Sequence, residues 1–250
     1  MNTRKGMFTQ VWIVICLCLP LGSIFANEHS LASSNKPLTQ AQLADVQALY
    51  TQPATTEALS ALAQQLNLQL DTRGQFIQRR HLQVLKKPLL SQGQFIFSPT
   101  QGLVWQQLRP FSTLMVLKDQ QLIQQNSQGK VQQLNAMASG SPIAQQVPRL
   151  LQAIMAGNMA ALSEDFTLFM PANYNAGTPW QLGLQAKDPQ LRASMGNIML
   201  SGDTLLRSLI ITSSQADISD YTQIQFLDAQ QGPLSTTELE LFSLGSESNQ

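Results

Sequence analysis

The stretch that most constrains the fold is Gln75–Phe111, QFIQRRHLQVLKKPLLSQGQFIFSPTQGLVWQQLRPF, where apolar and polar residues alternate. Phe95 and Phe97 flank Ile96, and Leu103 and Trp105 sit two apart before Gln106 and Gln107. A period of two belongs to strands with one buried and one wetted face. Gly93, Gly102 and the run Ser98-Pro99-Thr100 supply turns. The pattern predicts strands at about 75–84, 90–98, 103–107, 113–118 and 121–125, a meander of short antiparallel strands. A second set is expected at 166–170, 179–185, 194–200, 204–212 and 221–226, with a closing strand at Thr237–Phe242.

Helical spacing appears elsewhere. Thr39 with Gln42 three residues on is a capping-box pattern, and Leu43, Val46 and Leu49 follow at helical intervals over Ala41–Tyr50. Pro53 stops that helix, and Thr55 or Thr56 opens a second one with Leu59, Leu62 and Leu66 on one face. Ser141-Pro142 caps a third, carrying Leu150 and Ile154 and stopping at Gly157. A short helix at Met159–Glu164 follows. The expected class is α+β: a strongly curved antiparallel sheet with helices packed on one side of it.

The 250 residues suffice for one sizeable core. The basic start at Arg4 and Lys5, the apolar run that follows and the small residues near Ala26-Asn27 have the layout of a secretory signal peptide. Its uninterrupted apolar core, Val11–Leu19, is much shorter than the ~20 residues a spanning helix needs. The expected organisation is a signal peptide at 1–26, a flexible segment at 27–37, a single domain at 38–244 and a polar tail at 245–250, in an exported protein. Both cysteines, Cys16 and Cys18, fall in the leader, so the mature chain holds no disulfide. It carries 13 basic against 15 acidic residues, a net charge of about −2. That balance argues against nucleic acid and against stable electrostatic attachment to an anionic membrane.

Catalytic chemistry is scarce. Only His29 and His81 are present, and His81, beside Arg79 and Arg80 on a strand, reads as a surface residue. No serine sits in a G-x-S-x-G elbow, no Cys/His set has zinc-ligand spacing, and no Gly-rich phosphate loop occurs. No enzyme activity, metal or cofactor is expected. Arg79-Arg80 with Lys86-Lys87 is a basic cluster that reads either as an exposed strand and turn or as a docking patch.

The informative feature is the apolar strand face. One candidate face takes Phe76, Phe95, Phe97, Leu103, Trp105, Leu114 and Val116 from the first half. From the second it takes Trp180, Leu182, Leu184, Ile198, Leu200, Leu209, Ile211, Ile224 and Phe226. Read from periodicity alone, these either pack against the helices as a solid core or leave an unfilled apolar space.

Several runs carry a family resemblance: Phe76-Ile77-Gln78-Arg79, Leu85-Lys86-Lys87-Pro88-Leu89, Ser91-x-Gly93-x-Phe95, Gly102-Leu103-Val104-Trp105 and Arg109-Pro110-Phe111. Met155-x-Gly157-Asn158, Trp180-x-Leu182-x-Leu184 and Ile198-x-Leu200-x-Gly202 extend it to nearly all of the mature chain. Together they resemble the LolA-like outer-membrane lipoprotein carriers. The resemblance implies an incomplete β-barrel with helices packed as a lid over its concave apolar face, around a cavity bounded by the sixteen strand residues above, the lid helices marked by Leu43, Val46, Leu49, Leu150 and Ile154. It further implies a periplasmic monomer that shields acylated lipoprotein or other lipid cargo between an inner-membrane transporter and an outer-membrane acceptor. A lipid-sensing or interaction protein on the same scaffold is the competing reading. One departure stands out: the carriers' Lys-Arg-Pro run after the second strand is replaced here by Ser98-Pro99-Thr100.

Overall fold

The computed structural model describes residues 38–66, 70–119, 121–134, 153–154, 156–212 and 220–244. Eleven strands form one sheet, every neighbouring pair antiparallel. A first meander runs through β1 (Thr72–His81), β2 (Leu89–Ser98), β3 (Gly102–Arg109), β4 (Thr113–Lys118), β5 (Gln121–Gln125) and β6 (Val131–Leu134). A second runs through β7 (Phe166–Phe169), β8 (Trp180–Ala186), β9 (Asn197–Gly202), β10 (Leu206–Thr212) and β11 (Tyr221–Gln231). The two meanders join where β11 pairs with β1, so β6 and β7 are the outer edges and the barrel stays open.

The helices are α1 (Gln40–Leu49), α2 (Thr56–Gln65), α3 (Met159–Asp165), α4 (Pro189–Met195) and α5 (Thr236–Leu241). Local chemistry accounts for their starts. Thr39 and Gln42 close the capping box expected of them, Thr55 accepts from the Ala58 amide, and Asn158 and Asp188 cap α3 and α4.

Two expectations of element type are corrected. Thr237–Phe242 is helical: Ser235 and Glu238 form a full capping box that ties up donors a strand would leave free, and Arg73 pairs with Glu238 at 3.4 Å. The segment expected to be strand from Ser194 begins as α4, started by Asp188 with Pro189 in its first turn and ended by Gly196 at φ 69°. The helix expected from Ser141, with Leu150, lies mostly outside the described residues; Ile154 and Gly157 belong to its described end.

The sheet is sandwiched between helices on both faces. On one face α2 and α3 meet the main cluster, which includes Leu62, Leu66, Met159, Leu162, Trp180, Leu184, Ile198 and Phe226. On the other, α1 covers Phe169, Met199 and Ile210 at one side, while Phe242, at the end of α5, covers Ile96, Val104, Leu114, Val116 and Ile123 at the other. α1 is therefore not a lid over the α2/α3 face: Val46 and Leu49 are buried on the opposite face and Leu43 is half-buried on the same helix. Gly183 explains the seat. A Cβ there would meet the Tyr50 ring at 2.9 Å and Leu49 at 3.2 Å, so only glycine lets α1 approach β8 this closely.

Candidate functional site

Pairing register decides which side chains share the α2/α3 face. Phe95 opposes Trp105, Phe97 opposes Leu103, Leu103 opposes Leu117 and Trp105 opposes Met115. Partners directly opposite point the same way. Met115 and Leu117 thus continue the face of Trp105, whereas Leu114 and Val116 point to the α5 side, where Phe242 covers them. The assignment of Leu114 and Val116 to the cavity face is corrected on that ground. The other fourteen strand residues fall on one face, in two neighbouring clusters: Phe97 and Leu103 with Leu117 and Leu122, and the remaining twelve in or against the main cluster.

Aromatic rings join the two meanders. Phe76 stacks on Trp105 with centroids 3.7 Å apart and planes at 23°, and Phe95 meets Phe226 edge-on at 5.2 Å. Trp105 and Phe226 approach to 6.3 Å although β3 and β11 lie three strands apart. Flat spacing would set those backbones about 14 Å apart, so the rings lean inward over a concave face. Gly93 makes room for this: a Cβ there would reach the Phe76 ring at 2.7 Å and collide with the Gln106 carbonyl.

Among the described residues, the main cluster is tightly packed where Leu66, Ile154, Met159, Leu162, Trp180 and Leu200 meet, with ≈ 10 Å³ between them, about one water-sized probe. α2 is also fastened. Gln65 Nε2 donates to the carbonyls of Thr178 (2.8 Å) and Asp203 (3.0 Å), and its Oε1 accepts from the Tyr174 hydroxyl (2.8 Å) and the Gly177 amide (2.9 Å). At the other end of α2, the Ala54 amide donates to the Leu168 carbonyl at 2.8 Å. Nothing in the sequence pattern marked Gln65; a glutamine at a helix end reads as an ordinary exposed residue.

Space exists elsewhere on the same face. A cavity of ≈ 190 Å³ is lined by Phe97, Pro99, Thr100, Gly102, Leu103, Leu117, Lys118 and Asp119, at the turns joining β2 to β3 and β4 to β5. Its apolar wall is Phe97, Leu103 and Leu117, each no more than 4% exposed, which cluster with Leu122 behind them. Pro99 and Thr100 belong to its rim. The Ser98 and Thr100 hydroxyls lie 3.2 Å apart, and Ser98 Oγ accepts from the Gln101 amide at 3.2 Å.

Lys118 and Asp119 are the ionisable residues in the lining of this cavity, and Arg79 and His81 are not part of it. Arg79, expected at the surface, is 2% exposed; its guanidinium donates to Gln225 Oε1 at 2.6 Å, and burial lowers its pKa. His81 is half-buried, stacked on Tyr221 at 4.3 Å, and its pKa is pushed below the ordinary imidazole value by burial and then by the Arg79 charge. Among the described residues no three His, Cys, Asp or Glu side chains are grouped to hold a metal ion.

No curated protein matches the chain by sequence. By fold it is similar to a LolA superfamily protein from Nitrosomonas europaea, at 10% identity and a TM-score of 0.40, over 74% of this chain and 97% of that one. A putative outer membrane lipoprotein-sorting protein domain from Vibrio parahaemolyticus gives 7% identity, a TM-score of 0.40 and the same coverage. LprF from Mycobacterium bovis gives 10% identity and a TM-score of 0.35, again over 74% and 97%. The family described as outer membrane lipoprotein carrier protein LolA-like matches residues 51–222, well over half of the sequence. On that match the chain belongs to the LolA-like family, as a divergent member.

Proposed function

We propose that this protein is a periplasmic carrier that shields the acyl chains of lipoproteins or related lipids during transfer from the inner to the outer membrane. The observation that carries the reading is the position of the ≈ 190 Å³ cavity: on the concave face, against a wall of Phe97, Leu103 and Leu117, beside the cluster that α2 and α3 pack against. The cargo space is accordingly narrower than the fourteen-residue face, most of which is structural.

An acyl chain leaving a bilayer loses about 0.8 kcal/mol for every CH₂ left in water, and an apolar wall replaces that environment without covalent chemistry. The cavity is smaller than the roughly 300 Å³ at which ordinary ligand pockets begin, so loading has to widen it. The cost of widening makes binding weaker than membrane insertion, which suits a protein that must release its load. Partners of this reading are a transporter that loads and an acceptor that unloads.

The test is native mass spectrometry of gently purified mature protein, wild type against Phe97→Glu. Co-purified acylated species in the wild type, absent from a Phe97→Glu variant with an unchanged far-UV spectrum, are expected. A reproducibly empty wild type, or a folded variant that still carries lipid, would overturn the reading.

A further inference from the structure

The near-neutral balance of the whole chain conceals a segregation of charge. Between Thr72 and Ser163, a stretch that includes the whole first meander, the sequence holds nine Lys or Arg and a single acidic residue, Asp119. Asp119 lies at the β4–β5 turn, at the end of the strands that bears the cavity. The turns at the opposite end are β1–β2, β3–β4 and β5–β6, and they carry Lys86, Lys87, Arg109 and Lys130, all exposed.

Apolar side chains interleave with these cations. Among the described residues seven large hydrophobics are exposed, and five of them lie at or beside these three turns. Val84 is 88% exposed, at the tip of the β1–β2 turn, next to Leu85 at 42%. Leu90, Leu108 and Val131 follow on the adjoining strand ends. Scattered apolar residues on a surface call for no explanation, but a concentration at one end does. The tip is also held in shape. The Leu85 amide donates to the Leu82 carbonyl at 2.9 Å, and the Gln83 amide donates to Asp220 Oδ1 at 2.7 Å, so Val84 is presented on a fastened turn.

We propose that this turn end of β1–β6 is a docking surface for a bilayer bearing anionic phospholipid headgroups. Ammonium and guanidinium groups meet lipid phosphates while Val84 and Leu85 enter the headgroup–acyl boundary; an acidic protein or a nucleic acid would satisfy the cations but not the exposed aliphatic tip. Attachment of this kind is reversible, since few charges and two short side chains take part. The inference goes beyond the carrier reading and does not depend on it, because the cavity lies at the far end of β2 and β3.

The experiment is co-sedimentation of the mature protein with vesicles of phosphatidylcholine alone or with an equal part of phosphatidylglycerol. Binding is expected only to the mixed vesicles, and it should weaken as salt rises. Lys86→Gln with Lys87→Gln should lower affinity about thirtyfold, and Val84→Ser with Leu85→Ser about tenfold. Arg207→Gln, beside the β9–β10 turn at the opposite end of the sheet, should leave vesicle binding unchanged. No binding to either vesicle, equal binding to both, indifference to Val84→Ser/Leu85→Ser, or an equal loss with Arg207→Gln would each overturn the proposal. Acyl cargo recovered in native mass spectra is unaffected by the turn variants, so failure of docking and failure of the carrier reading are separate results.

Discussion

Gln65 and Tyr174 lie 109 residues apart in the chain, yet the tyrosine hydroxyl donates to the glutamine amide oxygen at 2.8 Å. With three further bonds from the same amide, α2 is tied to the β7–β8 and β9–β10 turns and acts as a fixed part of the core. Gln65→Ala removes four hydrogen bonds at once, among them the part-buried ones to the Asp203 carbonyl and from the Tyr174 hydroxyl. A loss of about 2 kcal/mol is expected, read as a lower urea midpoint with an unchanged slope. Tyr174→Phe should cost less, about 1 kcal/mol or under.

Gly93 and Gly183 are seats for rings on opposite faces of the sheet. Gly93→Ala drives a methyl into Phe76, which is 1% exposed, and should destabilise by about 3 kcal/mol or prevent folding. Gly183→Ala pushes α1 outward through Tyr50 and Leu49 and is expected to cost about 1–3 kcal/mol. Thermal unfolding of both variants measures the difference.

The cavity makes a prediction of its own. Leu103→Trp fills space beside Phe97 and Leu117 without removing any apolar contact. Loading with a fluorescent fatty-acyl probe should fall at least about tenfold, roughly 1.4 kcal/mol, while the melting temperature stays close to wild type. Phe242→Ala, on the other face, should do the reverse: a loss of about 3–5 kcal/mol with cargo still bound by the folded fraction.

His81 sets a pH dependence. Its folded pKa lies below the ordinary 6.5, so near that pH the unfolded chain binds more protons than the folded one, and stability rises with pH. The contribution is complete above the ordinary imidazole value and is lost as pH falls through it to the depressed folded value. Urea midpoints should be higher at pH 7.5 than at pH 5.5, and His81→Gln should flatten that difference.

Much was legible in one dimension. Period-two alternation located ten of the eleven strands, all but β6, and β4 and β5 coincide with their expected bounds, because a strand that buries one face must alternate. α1 was legible because Thr39 and Gln42 complete a capping box within four residues. α5 was misread because ELELF alternates as a strand would, and the Ser235–Glu238 signal that overrides it begins just upstream.

What the chain could not specify by itself is which side of an alternating run faces inward when both sides are apolar. Leu114, Met115, Val116 and Leu117 are all apolar, and only the pairing of Trp105 with Met115 settles that Leu114 and Val116 look toward Phe242. α1 likewise has an apolar stripe that fits either face of a sheet, and it took Gly183 and Phe169, more than 110 residues away, to place it opposite α2. Local geometry and alternation follow from neighbours in sequence. Facing, burial and the volume left over depend on register between distant strands, and those exist only once the sheet has formed.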